Sequence, residues 1–135
     1  VYLNGKENGI VIEYDTIGKI ITKGKYKFGE REGDWFYIIN DYKEEGAFIS
    51  GMKTGLWKTT YISTKKKKFE GEFLNDVPLG EHKEYFSNGV IKYLGKYKNG
   101  EKHGEWKKYN SKGELILTYL FKNGEEIKRD GLKIK

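Results

Sequence analysis

The sequence lacks several residue types and patterns, and each absence excludes a class of protein. It has no cysteine among 135 residues, so it can form neither a disulfide framework nor a thiolate metal site. Its longest apolar stretch, residues 115–121, is interrupted by Thr118 and is far shorter than the roughly 18 residues that span a bilayer. A single proline, Pro78, beside 18 glycines argues against polyproline and collagen-like segments and indicates many regular turns.

The composition is typical of an ordered chain with a thin core, and the length fits one domain or one run of repeats. Apolar residues make up 36% and charged residues 34%, yet aromatic residues reach 16%, whereas a disordered chain of this charge is poor in them. The net charge of +6 weakly favours anionic partners, although a solvated surface explains it as well. Because the first residue is Val1, we expect a trimmed N-terminus, which leaves a cytoplasmic and an exported location both open.

Two glycine series that recur every 22 to 25 residues, with a third that is present in some copies only, predict a tandem repeat. The first series stands two residues before an aromatic residue and consists of Gly24, Gly46, Gly71 and Gly95. The second consists of Gly9, Gly33, Gly55, Gly80 and Gly104, and two residues after its members come Val11, Trp35, Trp57, His82 and Trp106. The third, Gly18, Gly89 and Gly113, marks a turn within the copy. The five copies run approximately over 2–25, 26–47, 48–72, 73–96 and 97–120, before a C-terminal cap at 121–135.

Each copy has the pattern of a β-hairpin. Asn99-Gly100 is a strong tight-turn signal, because both residues tolerate a positive φ. Leu115, Leu117, Tyr119 and Phe121 then alternate with the period of a strand. Turns recur too often to leave room for a helix of normal length. The segment 125–135 has no clear pattern and is compatible with a last strand, a short capping helix or a frayed tail.

The sequence therefore predicts an all-β fold, an elongated single-layer antiparallel meander of tandem β-hairpin repeats with about ten strands. Such a sheet has no helices to cover it, so it must bury its side chains in ladders along the repeat axis. A glycine without a Cβ lets an aromatic ring of the adjacent strand lie flat on the main chain. We expect the first glycine series to provide four such seats.

The repeats resemble a known family, the MORN repeat (membrane occupation and recognition nexus), in its bacterial variant. The resemblance rests on residues 97–116, YKNGEKHGEWKKYNSKGELI, and on the related segments 2–20 and 73–91. Asp76 at a turn glycine, His82 at the tryptophan position and Lys65 at a mid-repeat glycine depart from the pattern. The resemblance implies a single-layer hairpin fold and a scaffold role, with relatives attached to lipid kinases, membrane-junction proteins and bacterial antitoxin-like proteins.

No set of residues in the sequence predicts catalysis. We expect His103 to be a solvent-facing turn residue and His82 to be a packed strand residue, so a metal site is not expected. The serines have no G-x-S-x-G context, and neither a phosphate-binding loop nor a kinase catalytic loop is present. The sequence thus predicts a protein that is not an enzyme and needs no cofactor.

Two features could bind a partner. The first is an aromatic face on the sheet, which would form a groove for a peptide unless its rings simply pack on each other. Its predicted members are Trp35, Trp57, Trp106, Tyr14, Tyr85 and Tyr109. The second is the run Lys65, Lys66, Lys67 and Lys68, which could contact phosphate or anionic lipid unless it is only a solvated turn.

The function predicted from these features is a non-enzymatic repeat scaffold that mediates protein–protein interaction and is antitoxin-like. The alternative is peripheral binding to anionic membrane lipids or phosphoinositides through basic turns. The open sheet edges could also support self-association, which charge in the tail (Lys128, Arg129, Lys133, Lys135) would discourage. Sequence-specific binding of nucleic acid is not expected, because no helix is available for a major groove.

Overall fold

The structure of the chain, a computed structural model, describes residues 2–3 and 5–131, and every regular element in them is a β-strand. The strands are β1 Tyr2–Leu3, β2 Lys6–Glu7, β3 Gly9–Tyr14, β4 Ile20–Lys27, β5 Glu30–Ile39, β6 Tyr42–Ile49, β7 Met52–Tyr61, β8 Lys67–Leu74, β9 Val77–Tyr85, β10 Ile91–Lys98, β11 Glu101–Tyr109, β12 Leu115–Lys122 and β13 Glu125–Gly131. No helix in this part of the chain is long and apolar enough to cross a membrane.

Strands β3 to β13 pair in sequence order and form one antiparallel sheet of 11 strands, with β3 and β13 at its two edges. A separate small hairpin, β1–β2, precedes this sheet. The predicted all-β meander is confirmed. Among the alternatives for 125–135, the strand is correct for Glu125–Gly131, while Lys133 and Lys135 lie outside the described residues, as does Val1.

The first glycine series carries aromatic rings, as predicted. The pairs of glycine and covering ring are Gly24 with Trp35, Gly46 with Trp57, Gly71 with His82 and Gly95 with Trp106. A Cβ at any of these glycines would overlap the ring. The contact is also polar, because Nε1 of Trp57 donates to the carbonyl oxygen of Ala47 at 3.1 Å. Trp35 and Trp106 make the same bond at the same distance to the residue that follows their own glycine.

The second glycine series shapes the strand that delivers each ring. Glu45 pairs with Lys58 and Ala47 pairs with Thr54, so three residues of β7 oppose one residue of β6 at this point. Gly55 begins this bulge with a φ of 71°, which residues with a Cβ rarely adopt. Gly33, Gly80 and Gly104 have similar angles of 72°, 64° and 72°. One glycine therefore receives the ring, and the other bends the strand that carries it.

Hairpin tips join successive copies. Most of these tips are two-residue turns in which both residues have positive φ, as at Asn99 (52°) and Gly100 (78°), which confirms the predicted turn. The amide of Gly51 in one tip donates to the carbonyl oxygen of Arg31 in the preceding hairpin at 2.9 Å. The amide of Gly124 donates to the carbonyl oxygen of Lys102 in the same way at 3.1 Å. Neighbouring copies are thus bonded at their ends as well as through the sheet.

We predict that Gly46→Ala and Gly55→Ala destabilise the protein to very different extents. The new Cβ at position 46 would overlap the indole of Trp57, whereas a Cβ at position 55 would meet no atom within 4 Å. Gly46→Ala should cost at least about 3 kcal/mol or prevent folding, because the ring must leave its seat. Gly55→Ala should cost about 1 kcal/mol, the strain of its backbone angle alone. Urea denaturation measures the free energy of unfolding of both variants. Equal losses would contradict the close contact between Gly46 and the ring of Trp57.

A second prediction concerns two residues that replace glycine at turns. Lys65 and Asp76 have φ values of 61° and 67°. Lys65→Gly should raise the free energy of unfolding by roughly 0.5–1 kcal/mol, because glycine adopts this angle without strain. Asp76→Gly should give no gain, because Oδ1 of Asp76 accepts a bond of 2.7 Å from the amide of Lys53, and its loss offsets the relief. Thermal and urea unfolding measure both variants, and a stabilising Asp76→Gly would contradict this account.

Candidate interaction surface

One face of the sheet, called here the ladder face, carries a continuous row of aromatic rings. The four covering rings alternate along it with a second set, Tyr26, Phe48, Phe73, Tyr97 and Phe121. The rings meet edge to face, with a centroid distance of 5.0 Å and an angle of 77° between Phe48 and Trp57. The pair Tyr97 and Trp106 is similar, at 5.1 Å and 86°.

Cations lie over these rings and cover them. Nζ of Lys53 is 4.6 Å from the ring centroid of Trp57, and Nζ of Lys102 is 5.0 Å from that of Trp106. The guanidinium of Arg31 lies 5.4 Å from the ring centroid of Trp35. The sequence prediction does not include these three cations. A signal for them exists, because each stands two residues before a glycine of the second series.

The fourth copy has a histidine version of the same contact. The imidazole of His82 is 6% exposed, and Nε2 lies 2.9 Å from the carbonyl oxygen of Glu72, the residue that follows Gly71. A bond there requires the tautomer that carries its proton on Nε2. Pro78 occupies the position that a cation holds in the neighbouring copies. His82 is a packed strand residue as predicted, whereas His103 is exposed in strand β11 rather than in a turn.

The structure does not bring the six predicted aromatic residues together. Trp35, Trp57 and Trp106 are only 3%, 2% and 3% exposed, so they do not line an open groove. Their rings pack on glycine main chain and on each other, and the cations close the ladder from above. Tyr14, which is 57% exposed, and Tyr109 lie at strand ends beside register shifts. The hydroxyl of Tyr85 reaches Glu70, which belongs to the opposite face.

That opposite face, called here the open face, carries a row of directly paired residues across all 11 strands. The row consists of Ile12, Lys23, Phe36, Glu45, Lys58, Glu70, Lys83, Leu94, Lys107, Thr118 and Asp130. Its centre alternates in charge. Nζ of Lys58 lies 3.6 Å from Glu45, and Nζ of Lys83 lies 3.9 Å from Glu70. This alternation pairs charges across strands and is not apparent without the register.

Glu70 is the most connected group on the open face. The hydroxyl of Tyr85 donates to its Oε1 at 2.6 Å, and Lys67 lies 3.1 Å from its Oε2. The hydrogen bond from Tyr85, followed by that from Lys67, lowers the pKa of Glu70. Burial and the hydrogen bond to Glu70 raise the pKa of Tyr85 well above its ordinary value.

The pKa values of four further groups are raised. Burial raises the pKa of Tyr37, Tyr93 and Tyr97, and a hydrogen bond to Glu81 raises the pKa of Lys83. These shifts all move away from neutral pH, so they hold each group in one protonation state. General acid–base chemistry near neutrality needs the opposite arrangement.

The open face contains two hollows behind the glycine–tryptophan contacts. The larger hollow, of about 740 Å³, extends from β3 to β7 and includes the main chain of Gly24 and Gly46. The smaller, of about 440 Å³, lies at β9 to β11 beside Gly95. Lysines and apolar side chains line the larger one, and we call it the β3–β7 hollow below.

The lysine run of the sequence is dispersed in the structure. Nζ of Lys66 donates to the carbonyl oxygen of Asn88 at 3.2 Å, and Lys67 is paired with Glu70. Nζ of Lys68 lies 5.2 Å from the ring centroid of Tyr42. Lys65 is exposed in the turn that precedes β8. Three of the four lysines therefore have contacts within the chain, and the four do not form one cationic patch.

Within the described residues, no group of three histidine, cysteine, aspartate or glutamate side chains could hold a metal ion. No protein-family model and no curated protein matches the sequence. Among solved structures, one similar chain is a mutant of S. aureus TarM in complex with Fondaparinux, alpha-GlcNAc-glycerol and UDP. The two chains are 12% identical with a TM-score of 0.36, and the alignment covers 89% of this chain and 21% of that chain. A likeness at this level identifies neither a family nor an activity.

We predict that Glu70→Gln lowers stability in a pH-dependent way. The pKa of Glu70 is depressed in the fold, so its charge stabilises the protein above the usual carboxyl pKa of 4.5. The stabilisation is lost as the pH falls through the lower folded-state pKa. The wild type should exceed the variant by about 1 kcal/mol at pH 7, and the difference should vanish in acid.

Urea denaturation across pH measures this difference. Glu72→Gln is the matched control, because Glu72 is exposed on the same strand and makes no ion pair among the described residues. A gap between wild type and Glu70→Gln that persists unchanged below pH 3, or an equal gap for Glu72→Gln, would contradict the role assigned to Glu70.

Proposed function

We propose that this protein is a non-enzymatic repeat scaffold that binds another protein through the open face of its sheet. The observation that carries the proposal is the contrast between the two faces. On the ladder face the rings are used for folding and are covered by the chain's own cations. The open face presents paired charges, exposed apolar side chains such as Leu56 (54% exposed) and two hollows.

The chemistry of the open face favours binding over catalysis. Its charged groups are fixed in one protonation state by their neighbours, as at Glu70 and Lys83. A row of alternating charges gives a partner both orientation and register, because each charge of the partner meets a defined neighbour. The shallow hollows are wide enough for side chains of a second protein.

The resemblance to MORN repeats supports the same proposal, since it implies a scaffold role with a protein partner. We therefore propose a MORN-like repeat array for this chain, and an antitoxin-like role with a toxin as the protein partner is one form of that proposal. The alternative, peripheral lipid binding, draws less support from the geometry. Lys66, Lys67 and Lys68 are each engaged within the chain, so they offer a membrane little concentrated charge.

Photo-crosslinking in the source cell tests the proposal, because adjacent strand residues point to opposite faces. Benzoylphenylalanine replaces Lys83 or Lys107 on the open face, and Glu84 or Lys108 on the ladder face as matched controls. We expect a protein adduct of defined mass from positions 83 and 107 and at most a trace from 84 and 108. Thermal unfolding confirms that each variant is folded.

Two results would contradict the proposal. Adducts of equal yield from both faces would mean that contacts are unspecific. Adducts with phospholipid alone would favour the lipid alternative over a protein partner.

A further inference from the structure

The β3–β7 hollow has the dimensions of an extended peptide. It crosses five strands, which places its ends roughly 19 Å apart at about 4.8 Å per strand. An extended chain rises about 3.3 Å per residue, so about six residues fill this length. The main chain of Gly24 and Gly46 forms part of its floor, because the Cβ direction at both positions points to the ladder face, and Ala47 contributes only a methyl group. A second backbone can therefore approach the sheet closely along this line.

The charges in the hollow are unequal at its two ends. At the β6–β7 end, Lys43 and Lys58 share Glu45, at 3.5 Å and 3.6 Å. At the β4 end, Lys23 and Lys25 are exposed and make no ion pair among the described residues. The lining also includes the exposed Asp34, so four lysines stand beside two carboxylates and the hollow has an excess of two positive charges.

Apolar side chains stand beside these cations. Ile10 is 72% exposed at the β3 end, and Leu56 is 54% exposed at the β7 end. Phe36 lies between them, half-buried, with Nζ of Lys43 at 4.6 Å from its ring centroid. Exposed aliphatic groups at both ends favour a ligand that buries apolar side chains as well as charge.

We propose that the β3–β7 hollow binds an extended peptide segment whose acidic side chains pair with Lys23 and Lys25 and whose apolar side chains pack on Ile10 and Leu56. The inference rests on the proposed scaffold function and names the class of segment that the scaffold recognises. Charge complementarity excludes a basic segment, which would meet two unpaired lysines. In an extended ligand, the contacting side chains are two residues apart, because alternate residues face the same way.

The test measures fluorescence anisotropy of a fluorescein-labelled peptide, Asp-Ser-Leu-Ser-Asp-Ser-Leu-Ser, with the full chain. Its aspartates and leucines point to one side and its serines to the other. Two matched probes replace both aspartates by lysine or both leucines by serine. We expect the acidic–apolar probe to bind more tightly than either matched probe, and to weaken as salt rises above about 0.15 M.

The matching protein variants locate the site. Lys23→Glu with Lys25→Glu should weaken binding by about tenfold or more, because attraction becomes repulsion. Lys98→Glu with Lys122→Glu is the control, since it changes the net charge equally at exposed positions on β10 and β12. The control should bind within about twofold of wild type if distant charges are screened. Leu56→Ser should weaken the acidic–apolar probe but not the leucine-free one.

Equal losses in the two charge-reversed variants would overturn the inference, since the attraction would then be unspecific. Absence of binding by all three probes would overturn it too. Neither result would contradict the proposed function. That function is tested by crosslinking at positions 83 and 107, which lie outside the β3–β7 hollow.

Discussion

A sheet without a covering layer must bury apolar surface against its own main chain, and here a flat ring on a glycine does so at four places along the sheet. The ring excludes water from the backbone of the preceding strand and donates a hydrogen bond to the next carbonyl oxygen, as Trp57 does to Ala47. The contact needs a missing Cβ on one strand and a bulge on the other. Both glycine series follow from this single requirement.

The contact between ring and glycine also gives the two faces of the sheet different side chains. Arg31, Lys53 and Lys102 lie over the rings, so the ladder face is closed by side chains of the chain itself. The open face carries an alternating row of charges through Glu45, Lys58 and Glu70. The side chains of the ring ladder and those of the charged row therefore alternate along the same strands.

Much of the fold could be predicted because glycine and tryptophan recur at fixed spacing, and each recurrence has one physical explanation. The sequence prediction missed the burial of the tryptophans, because the recurrence of Arg31, Lys53 and Lys102 before each glycine does not by itself show that these strand residues lie over the rings. The partners of Lys66 and Lys67 lie on neighbouring strands or turns, so only the register reveals them. The row of residues on the open face likewise cannot be identified from the sequence without the register of the strands.

The separation of faces has a consequence for how such arrays diversify. Under the proposed scaffold function, substitutions at the charged row would alter what the surface recognises, while the ring contacts that hold the sheet would stay intact. The fourth copy illustrates the reverse case, since His82 and Pro78 change the ladder together and leave Glu70 and Lys83 paired on the other face. If the open face is the binding surface, descendants of one array would share a backbone and acquire unrelated ligands with little loss of stability.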